Sequence, residues 1–467
     1  MRNFVFVPEA LVVAGALAIL LLARGRRRSR PWLPAAAAAF PLVALAVELW
    51  VGATLATYFG GALVQDRFAL FAKAGVLLAA ALAIAVTDWS EEDAPSIGMA
   101  MILLAAFGVM VVASSGDFVG LWAGLELAAA AGVVHVSLRR TDLALGLLVT
   151  GGVASALVLV GLAFVYATTG SADLLAVRHA MGTLAPTLPL AVPVLLLLGG
   201  LAVRAGLMPF QFARVPAGLA ASPLGASMII GIVAAAALIV AVKVAALLTP
   251  LPAVFSPYLM VAAAVTMVGG GAAALATRSP RARIVYLAAG QVGWIAAGLA
   301  THYLVGMGAA LFLVGAFALA ATTGPAVMAG ADTGEFALAG MGLLRPARAA
   351  AIALVFLSLA GAPPLAGFFG EFAVAAALAQ SGAFWLLALG LLGAVMSVAA
   401  AVGTLRAIYL QSPPDESRRA AGARLPVLTR LSSLGAVALC IAIAGYGVFA
   451  NPILGLANQG AEALGLR

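Results

Sequence analysis

One carboxylate lies inside a stretch of sequence that is otherwise apolar. Glu126 stands about a third of the way along residues 118–138, which are long enough to cross a bilayer as a helix. A charged side chain at that depth costs about 2.5–3.5 kcal/mol on insertion scales, so an acid there indicates a functional site and needs a partner. The best candidate is Arg204, in a second apolar stretch that Pro209 interrupts.

This pair of residue types can do one kind of chemistry. A carboxylate beside a cation can change its charge state, as proton transfer across a membrane requires. Arg204 itself does not release a proton, because a guanidinium stays charged, so it would tune Glu126 or order water. The alternative is a static buried ion pair that joins two helices. The sequence leaves both interpretations open.

Further candidates lie at membrane depth elsewhere. Lys243 stands late in its apolar stretch, where its ammonium group either takes part in charge movement or reaches the outer interface. Glu371 follows Pro363 and Pro364 and is too costly at that depth to lack a role. His135 can titrate near neutral pH, although a single histidine is more often a hydrogen-bonded residue at a helix end.

The remaining polar residues of the apolar stretches are weaker candidates. Gln291 can hold water in a path but does not ionise. Four charged residues nearer the ends of their stretches are predicted to snorkel or to make interface contacts. They are Glu9, Glu48, Lys73 and Arg406.

Composition sets the class of protein. Of 467 residues, 64% are hydrophobic and 9% charged, which indicates an integral membrane protein and excludes a soluble enzyme. The excess of basic residues lies in short loops, so it reflects membrane topology and not nucleic-acid binding. A single cysteine, Cys440, provides neither a disulfide nor a thiolate metal site. With no phosphate loop, metal-ligand cluster or nucleotide fingerprint, we expect no cofactor and no metal in this chain.

Hydropathy predicts an all-α polytopic protein with about fourteen spans. An arginine cluster follows the first apolar stretch and does not precede it, so this stretch is predicted to be a membrane span and not a signal peptide. The predicted spans are 4–22, 34–57, 68–87, 97–114, 118–138, 143–168, 187–211, 223–248, 256–276, 284–302, 304–330, 348–378, 383–410 and 431–455.

The basic residues alternate between successive loops. If the N-terminus is outside, the odd-numbered loops face the cytoplasm, and the even-numbered loops carry little beyond Arg67 and Arg178. A miscounted span would invert the alternation, so the pattern supports the count and puts both termini on the outer side. The arginines of the odd-numbered loops lie in 24–30, 139–140, 214, 278–283, 345–348 and 418–430.

Two spans contain helix breaks. Pro209 interrupts the seventh span, and Pro363 with Pro364 interrupts the twelfth. Broken helices five spans apart, each beside a charge, indicate two inverted five-helix repeats, spans 4–8 and spans 9–13. The predicted units are 1–96 with the first three spans, 97–248 and 249–411 with the repeats, and 412–467 with a cytoplasmic loop and the last span.

The chain resembles the antiporter-like, proton-translocating subunits of complex I, and most closely those of the N type in bacterial NADH–quinone oxidoreductase. The resemblance runs from about Asp66 to Tyr409. Its most specific part is Leu357-Ser358-Leu359-Ala360-Gly361-Ala362-Pro363-Pro364-Leu365-Ala366-Gly367-Phe368-Phe369-Gly370. The other segments are Gly124-Leu125-Glu126, Arg204 with Pro209-Phe210-Gln211-Phe212, and Arg281-Ala282-Arg283-Ile284-Val285-Tyr286.

The sequence departs from the pattern of these subunits at several polar positions. Arg204 replaces the usual lysine of the seventh span, and the usual eighth-span lysine is missing, with Lys243 about three turns further on. Gln211 and Gln291 stand where histidines are usual, and Glu371 stands where the N type usually has lysine.

The resemblance implies a fourteen-helix subunit of the bacterial cytoplasmic membrane that carries protons, driven by quinone reduction elsewhere in a large complex. Its partners would be the other membrane subunits, including antiporter-like neighbours. The resemblance also implies that Glu126 is the acid of the fifth span. Because this chain has fewer titratable groups at these positions than is usual for such subunits, two alternatives stay open. One is a subunit of a cation/proton antiporter or membrane-bound hydrogenase, and the other is a non-conducting structural member of complex I.

Overall fold

The computed structural model describes residues 5–23, 31–52, 56–89, 92, 94–184, 188–211, 214–329, 338–413 and 427–465. Apolar segments at membrane depth must satisfy their backbone polar groups internally, and the helix is the element that does so within one segment. The helices are α1 Val7–Ala23, α2 Leu33–Val51, α3 Arg67–Val86, α4 Pro95–Ser114, α5 Phe118–Ser137, α6 Thr141–Thr169, α7 Leu174–Met181, α8 Leu188–Ala205, α9 Arg214–Ala220, α10 Pro223–Ser227, α11 Val233–Leu248, α12 Pro252–Ala276, α13 Pro280–Ala300, α14 Leu304–Val327, α15 Met341–Leu344, α16 Pro346–Leu359, α17 Ala366–Gln380, α18 Phe384–Leu410, α19 Val427–Val448 and α20 Ala450–Ala463.

A short β-hairpin departs from the all-α prediction. Strands β1 (Ala56–Tyr58) and β2 (Leu63–Gln65) pair antiparallel, with Thr57 opposite Val64. The second helix therefore ends earlier than the predicted span 34–57: α2 ends at Val51, where Gly52 has a φ of +65°. A positive φ is readily available to glycine, so Gly52 ends the helix at low steric cost.

The helices agree with the predicted spans in position. Each predicted span contains at least one helix, and three of the spans contain two or more. Within the described residues, ten helices are long and apolar enough to cross a membrane, or eleven if the pair α19 and α20, bent by 76°, is one span. The full count of fourteen, the domain limits and the two inverted repeats stay predictions.

Burial separates central from peripheral helices. Of the apolar stretch within Pro223–Leu248, 94% is buried, and in both α13 and α14 the share is 89%. In α6 it is 17%, and in α18 it is 33%. The polar residues of the eighth, tenth and eleventh spans are therefore enclosed by protein, whereas α6 and α18 present apolar side chains outward.

Glycines at helix crossings position the helices of the candidate pair. A Cβ added at Gly124 of α5 would lie 2.6 Å from the carbonyl oxygen of Gly108 in α4. A Cβ added at Gly200 of α8 would lie 2.5 Å from the carbonyl oxygen of Ala154 in α6. Small residues of this kind let helix backbones approach closely in membranes, and here they place α5 against α4 and α8 against α6.

Candidate functional site

Glu126 and Arg204 form the ion pair that the sequence predicted. Arg204 Nη2 donates hydrogen bonds to Glu126 Oε1 and, at 3.0 Å, to the carbonyl oxygen of Gly151 in α6. The Arg204 side chain is 6% exposed and that of Glu126 is 31% exposed. The cation is thus held between two acceptors on neighbouring helices, while its carboxylate partner stays partly accessible.

A cavity of about 50 Å³ lies beside this pair, between α5, α6 and α8. Its walls are mainly apolar, but both Arg204 and Arg214 line it. Among the described residues, Arg204 Nε has no hydrogen-bond partner. The cavity is large enough for several water molecules on a volume basis. Arg214 therefore belongs to this site, although the sequence analysis counted it only among the basic loop residues. Its position directly after the broken segment could have indicated this role.

The first helix break is stabilised by its own side chains. Helix α8 ends at Ala205, and Gly206 takes a φ of +83°. Gln211 Nε2 donates to the carbonyl oxygen of Gly206 at 3.2 Å, and the backbone N–H of Met208 donates to Thr266 Oγ1 of α12 at 3.1 Å. Pro209 lies between these two contacts. Gln211 therefore satisfies a carbonyl that the break leaves without a helical partner.

The second break brings a carboxylate against the backbone. Helix α16 ends at Leu359 and α17 begins at Ala366, with Pro363 and Pro364 in the connection. Gly361 has a φ of +71°, and a Cβ added there would lie 2.2 Å from Glu371 Oε2. Only a residue without a side chain leaves room for this carboxylate.

Glu371 is paired with the glutamine that the sequence analysis considered as a water ligand. Gln291 Nε2 of α13 donates to Glu371 Oε1 at 2.6 Å. The exposed fractions are 1% for Gln291 and 7% for Glu371. Hence the second broken helix, like the first, has a polar pair beside its break, and in the second pair both side chains are buried.

Lys243 is buried, so the alternative of snorkelling to the interface is wrong. Its side chain is 5% exposed, and its Nζ donates to the carbonyl oxygens of Ala113 at 2.8 Å and Ser115 at 2.6 Å. The ring of Phe68 lies 5.3 Å from the same nitrogen. Cations are favourable at helix C-termini, and here Lys243 caps the end of α4. Within the described residues, no hydrogen bond or ion pair joins it to Glu126 or Glu371.

His135 lies apart from the Glu126 pair, at the end of α5. Its Nε2 is 3.0 Å from Ser222 Oγ and 3.9 Å from Glu92 Oε2, and the residue is 5% exposed. Ser222 also accepts a hydrogen bond from the N–H of Gly225, which caps α10. His135 thus joins α5 to the start of the eighth span and is a hydrogen-bonded helix-end residue.

An irregular turn separates two cavities in this region. Residues Met228–Ile232 form a π-helical turn between α10 and α11. Ile229 lines the cavity beside Arg204, and Ile230 lines a second cavity of about 20 Å³ next to α13. Arg214 lines both cavities. Single π turns are often found at functional sites.

Metal ligation finds no support in the part of the chain that is described. There, no group of three or more His, Cys, Asp or Glu side chains could hold a metal ion. The prediction that this chain has no cofactor stays a prediction.

Buried charges beside broken membrane helices define a class of protein. Such breaks are tolerated where the freed backbone is enclosed by protein or lines a cavity, and they mark paths for ions or protons. The chain is thus a multi-pass membrane protein with the architecture of ion-translocating proteins. Residues 115–397 match the family model described as NADH:quinone oxidoreductase/Mrp antiporter, transmembrane, and the chain belongs to this family.

Relatives and solved structures agree with this family. NADH-quinone oxidoreductase subunit N of Granulibacter bethesdensis is 30% identical over 481 residues, covering 98% of each chain. A chain of respiratory complex I from Thermus thermophilus is similar with a TM-score of 0.80 and 23% identity, over 97% of this chain and 99% of that one. A chain of the Mrp complex from a Dietzia species is similar with a TM-score of 0.82 and 18% identity, over 99% of this chain and 97% of that one.

Proposed function

We propose that this chain is the N-type membrane subunit of a bacterial NADH–quinone oxidoreductase and that it translocates protons, coupled to quinone reduction elsewhere in the complex. Subunit N relatives cover the chain almost from end to end, which supports this assignment. The observation that carries the proton-translocating part is the Glu126–Arg204 pair beside a broken helix and a cavity.

In this mechanism, the distance between the two side chains sets the proton affinity of Glu126. When Arg204 contacts the carboxylate, the ionised form is favoured, and when the guanidinium withdraws, protonation becomes favourable. Arg204 keeps its own proton throughout. Because the same Nη2 also bonds the Gly151 carbonyl, a small rotation can weaken one contact while keeping the other.

The second half of the chain holds a corresponding acid. Glu371 can accept a proton, and Gln291 orients it by donating to one oxygen. Lys243 contributes a positive charge at the end of α4. His135 and Gln211 support the helix ends near the first site and are not proton carriers in this proposal.

The proposal includes location and partners. The chain lies in the cytoplasmic membrane with both termini outside, as the alternation of basic loops indicates. Other membrane subunits of the complex, antiporter-like neighbours among them, would cover the apolar face of α6, of which only 17% is buried. The chain needs no cofactor of its own, because quinone reduction takes place elsewhere.

Replacement of the acid tests the proposal. Glu126→Gln keeps the size and hydrogen-bonding capacity of the side chain but removes its titration. In proteoliposomes containing the whole complex, we expect a lower proton-to-electron ratio with normal assembly. Glu462→Gln, at an exposed position, is the matched control and should pump normally. An unchanged ratio in Glu126→Gln would contradict proton translocation by this chain.

A structural, non-conducting role is the second candidate. It is favoured by one observation: within the described residues, no hydrogen bond or ion pair joins Lys243 to the two polar pairs. In that case Arg204→Ala and Glu371→Gln would leave the proton-to-electron ratio intact and reduce assembly of the complex. Mass spectrometry of the co-purified partners separates both candidates from an antiporter subunit, because only complex I contains iron–sulfur and flavin subunits.

A further inference from the structure

Five polar side chains meet at one end of the first four helices, away from the Glu126 site. We name them the N-terminal charge cluster. They come from the start of α1, the end of α2, strand β2, the start of α3 and the end of α4, so all lie at the same end of the bundle. The members are Glu9, Glu48, Gln65, Lys73 and Ser114.

Four members of the cluster form a connected network, and Ser114 lies beside them at a shared cavity. Lys73 Nζ lies 2.6 Å from Glu9 Oε1 and 3.7 Å from Glu48 Oε2, and it donates to Gln65 Oε1 at 2.8 Å. Gln65 Nε2 donates to Glu48 Oε1 at 2.6 Å. Lys73 and Glu48 are each 1% exposed, and the Glu9 side chain is 15% exposed. Lys73 and Glu48 were predicted to snorkel or to make interface contacts, and snorkelling is wrong because protein encloses both side chains.

Among the described side chains of this network, the charges do not cancel. Two carboxylates share one ammonium group, which leaves one negative charge if both acids are ionised. Within the described part of the chain, Asp66 and Lys243 interact electrostatically with each other and with Lys73, and their own charges are opposite. An uncompensated buried charge is costly, so a proton or other cation is expected at the cluster.

Three oxygens of the cluster accept no hydrogen bond from the described residues, and one of them, Glu48 Oε2, has only its 3.7 Å ion-pair contact with Lys73 Nζ. Glu9 Oε2, Glu48 Oε2 and Ser114 Oγ are buried and have no hydrogen-bond partner among the described residues. Ser114 is 2% exposed, and with Glu9, Gln65 and Lys73 it lines a cavity of about 10 Å³. That volume corresponds to about one water molecule. The cluster thus combines unsatisfied acceptors with room for a single bridging water.

The cluster adjoins Lys243. The two carbonyl oxygens that Lys243 binds belong to Ala113 and Ser115, the residues on either side of Ser114. Asp66 interacts electrostatically with both Lys73 and Lys243. Consequently, a change of charge at Lys243 would change the electrostatic potential at the cluster.

From this geometry we propose that the N-terminal charge cluster binds one proton, carried by one of its two carboxylates, Glu9 or Glu48. The proton makes the cluster neutral and supplies the donor that one of the unsatisfied carboxylate oxygens lacks. The cluster lies at the end of the bundle that the basic loops assign to the outside. If the proposed proton translocation is correct, on which this part rests, the cluster is the last proton site before release.

Infrared spectroscopy of the full-length chain in lipid nanodiscs tests the binding directly. A protonated carboxyl group absorbs at a different infrared frequency from a carboxylate. The intensity of the protonated-carboxyl band can therefore be compared between wild type and variants as the pH is raised. Glu9→Gln and Glu48→Gln are each expected to abolish the whole cluster signal, since the remaining carboxylate is then balanced by Lys73. Lys73→Gln is expected to increase the signal up to twofold, because two carboxylates then lack a cation.

Several results would overturn the proposal. One is a signal that persists in either single glutamate variant, and another is a Lys73→Gln spectrum without an increase. If sodium ions abolish the signal at constant pH, the site takes a metal cation instead of a proton. Glu462→Gln controls for the loss of an exposed carboxyl and should leave the cluster signal unchanged.

The outcome is separable from the proposed function. Should Glu126→Gln leave pumping intact, the infrared result still decides whether the cluster binds a proton. Should the infrared signal be absent while Glu126→Gln abolishes pumping, the cluster assignment fails and the proposed function stands. If the infrared signal is present and Glu126→Gln lowers pumping, Glu9→Gln is also expected to lower the proton-to-electron ratio of the assembled complex.

Discussion

Gly361 provides a sharp test of the second helix break. Replacement by alanine forces a φ of +71° on a residue with a side chain, which costs about 1–2 kcal/mol. The new methyl group would also meet Glu371 Oε2 at 2.2 Å, so the carboxylate must move. Moving it breaks the 2.6 Å bond from Gln291, and a buried donor left without a partner costs about 1–3 kcal/mol. The expected destabilisation is about 2–5 kcal/mol, the sum of the two contributions.

Gly382 supplies the matched control. It has a φ of +75°, and a Cβ added there meets nothing within 4 Å. Gly382→Ala should therefore cost only the backbone strain, about 1–2 kcal/mol. Unfolding of the purified chain in mixed micelles, titrated with sodium dodecyl sulfate and followed by circular dichroism, measures both variants.

A double-mutant cycle identifies the source of the difference. In a Glu371→Ala background no carboxylate meets the added methyl group, so Gly361→Ala should cost no more than Gly382→Ala. Equal destabilisation by the two glycine variants in the wild-type background would refute the reasoning. So would an excess cost of Gly361→Ala that survives the removal of Glu371.

Two further predictions concern buried contacts and use the same micelle titration. Lys243→Met leaves two buried carbonyl groups at the end of α4 without a donor and should destabilise by about 2 kcal/mol or more, an outcome that a snorkelling lysine would not give. Gly231→Ala places a Cβ 2.4 Å from the backbone of Thr322 and should destabilise by about 1–3 kcal/mol, whereas Gly146→Ala meets nothing within 4 Å and should stabilise by up to about 1 kcal/mol. Equal effects of the two glycine variants would contradict the tight packing of the π turn.

The sequence alone determined that this chain crosses the membrane many times, and it located both helix breaks. Long apolar stretches form helices in lipid whatever their neighbours are, and proline removes a helical hydrogen bond wherever it stands. The cost of a charge in hydrocarbon marked Glu126 and Glu371 in the same way. Arg204 was identified as the best partner for Glu126 from its place in a second apolar stretch, which Pro209 interrupts.

Only the tertiary structure decided which buried groups meet. Hydropathy indicates the depth of a residue along its helix but not which neighbouring helix its side chain faces. Lys73 and Glu48 were therefore predicted to snorkel or to make interface contacts, although helices α1–α4 enclose them in one network. The pairing of Gln291 with Glu371 and the capping of α4 by Lys243 likewise depend on helix packing. Such contacts join residues far apart in the chain, and no local pattern in the sequence encodes them.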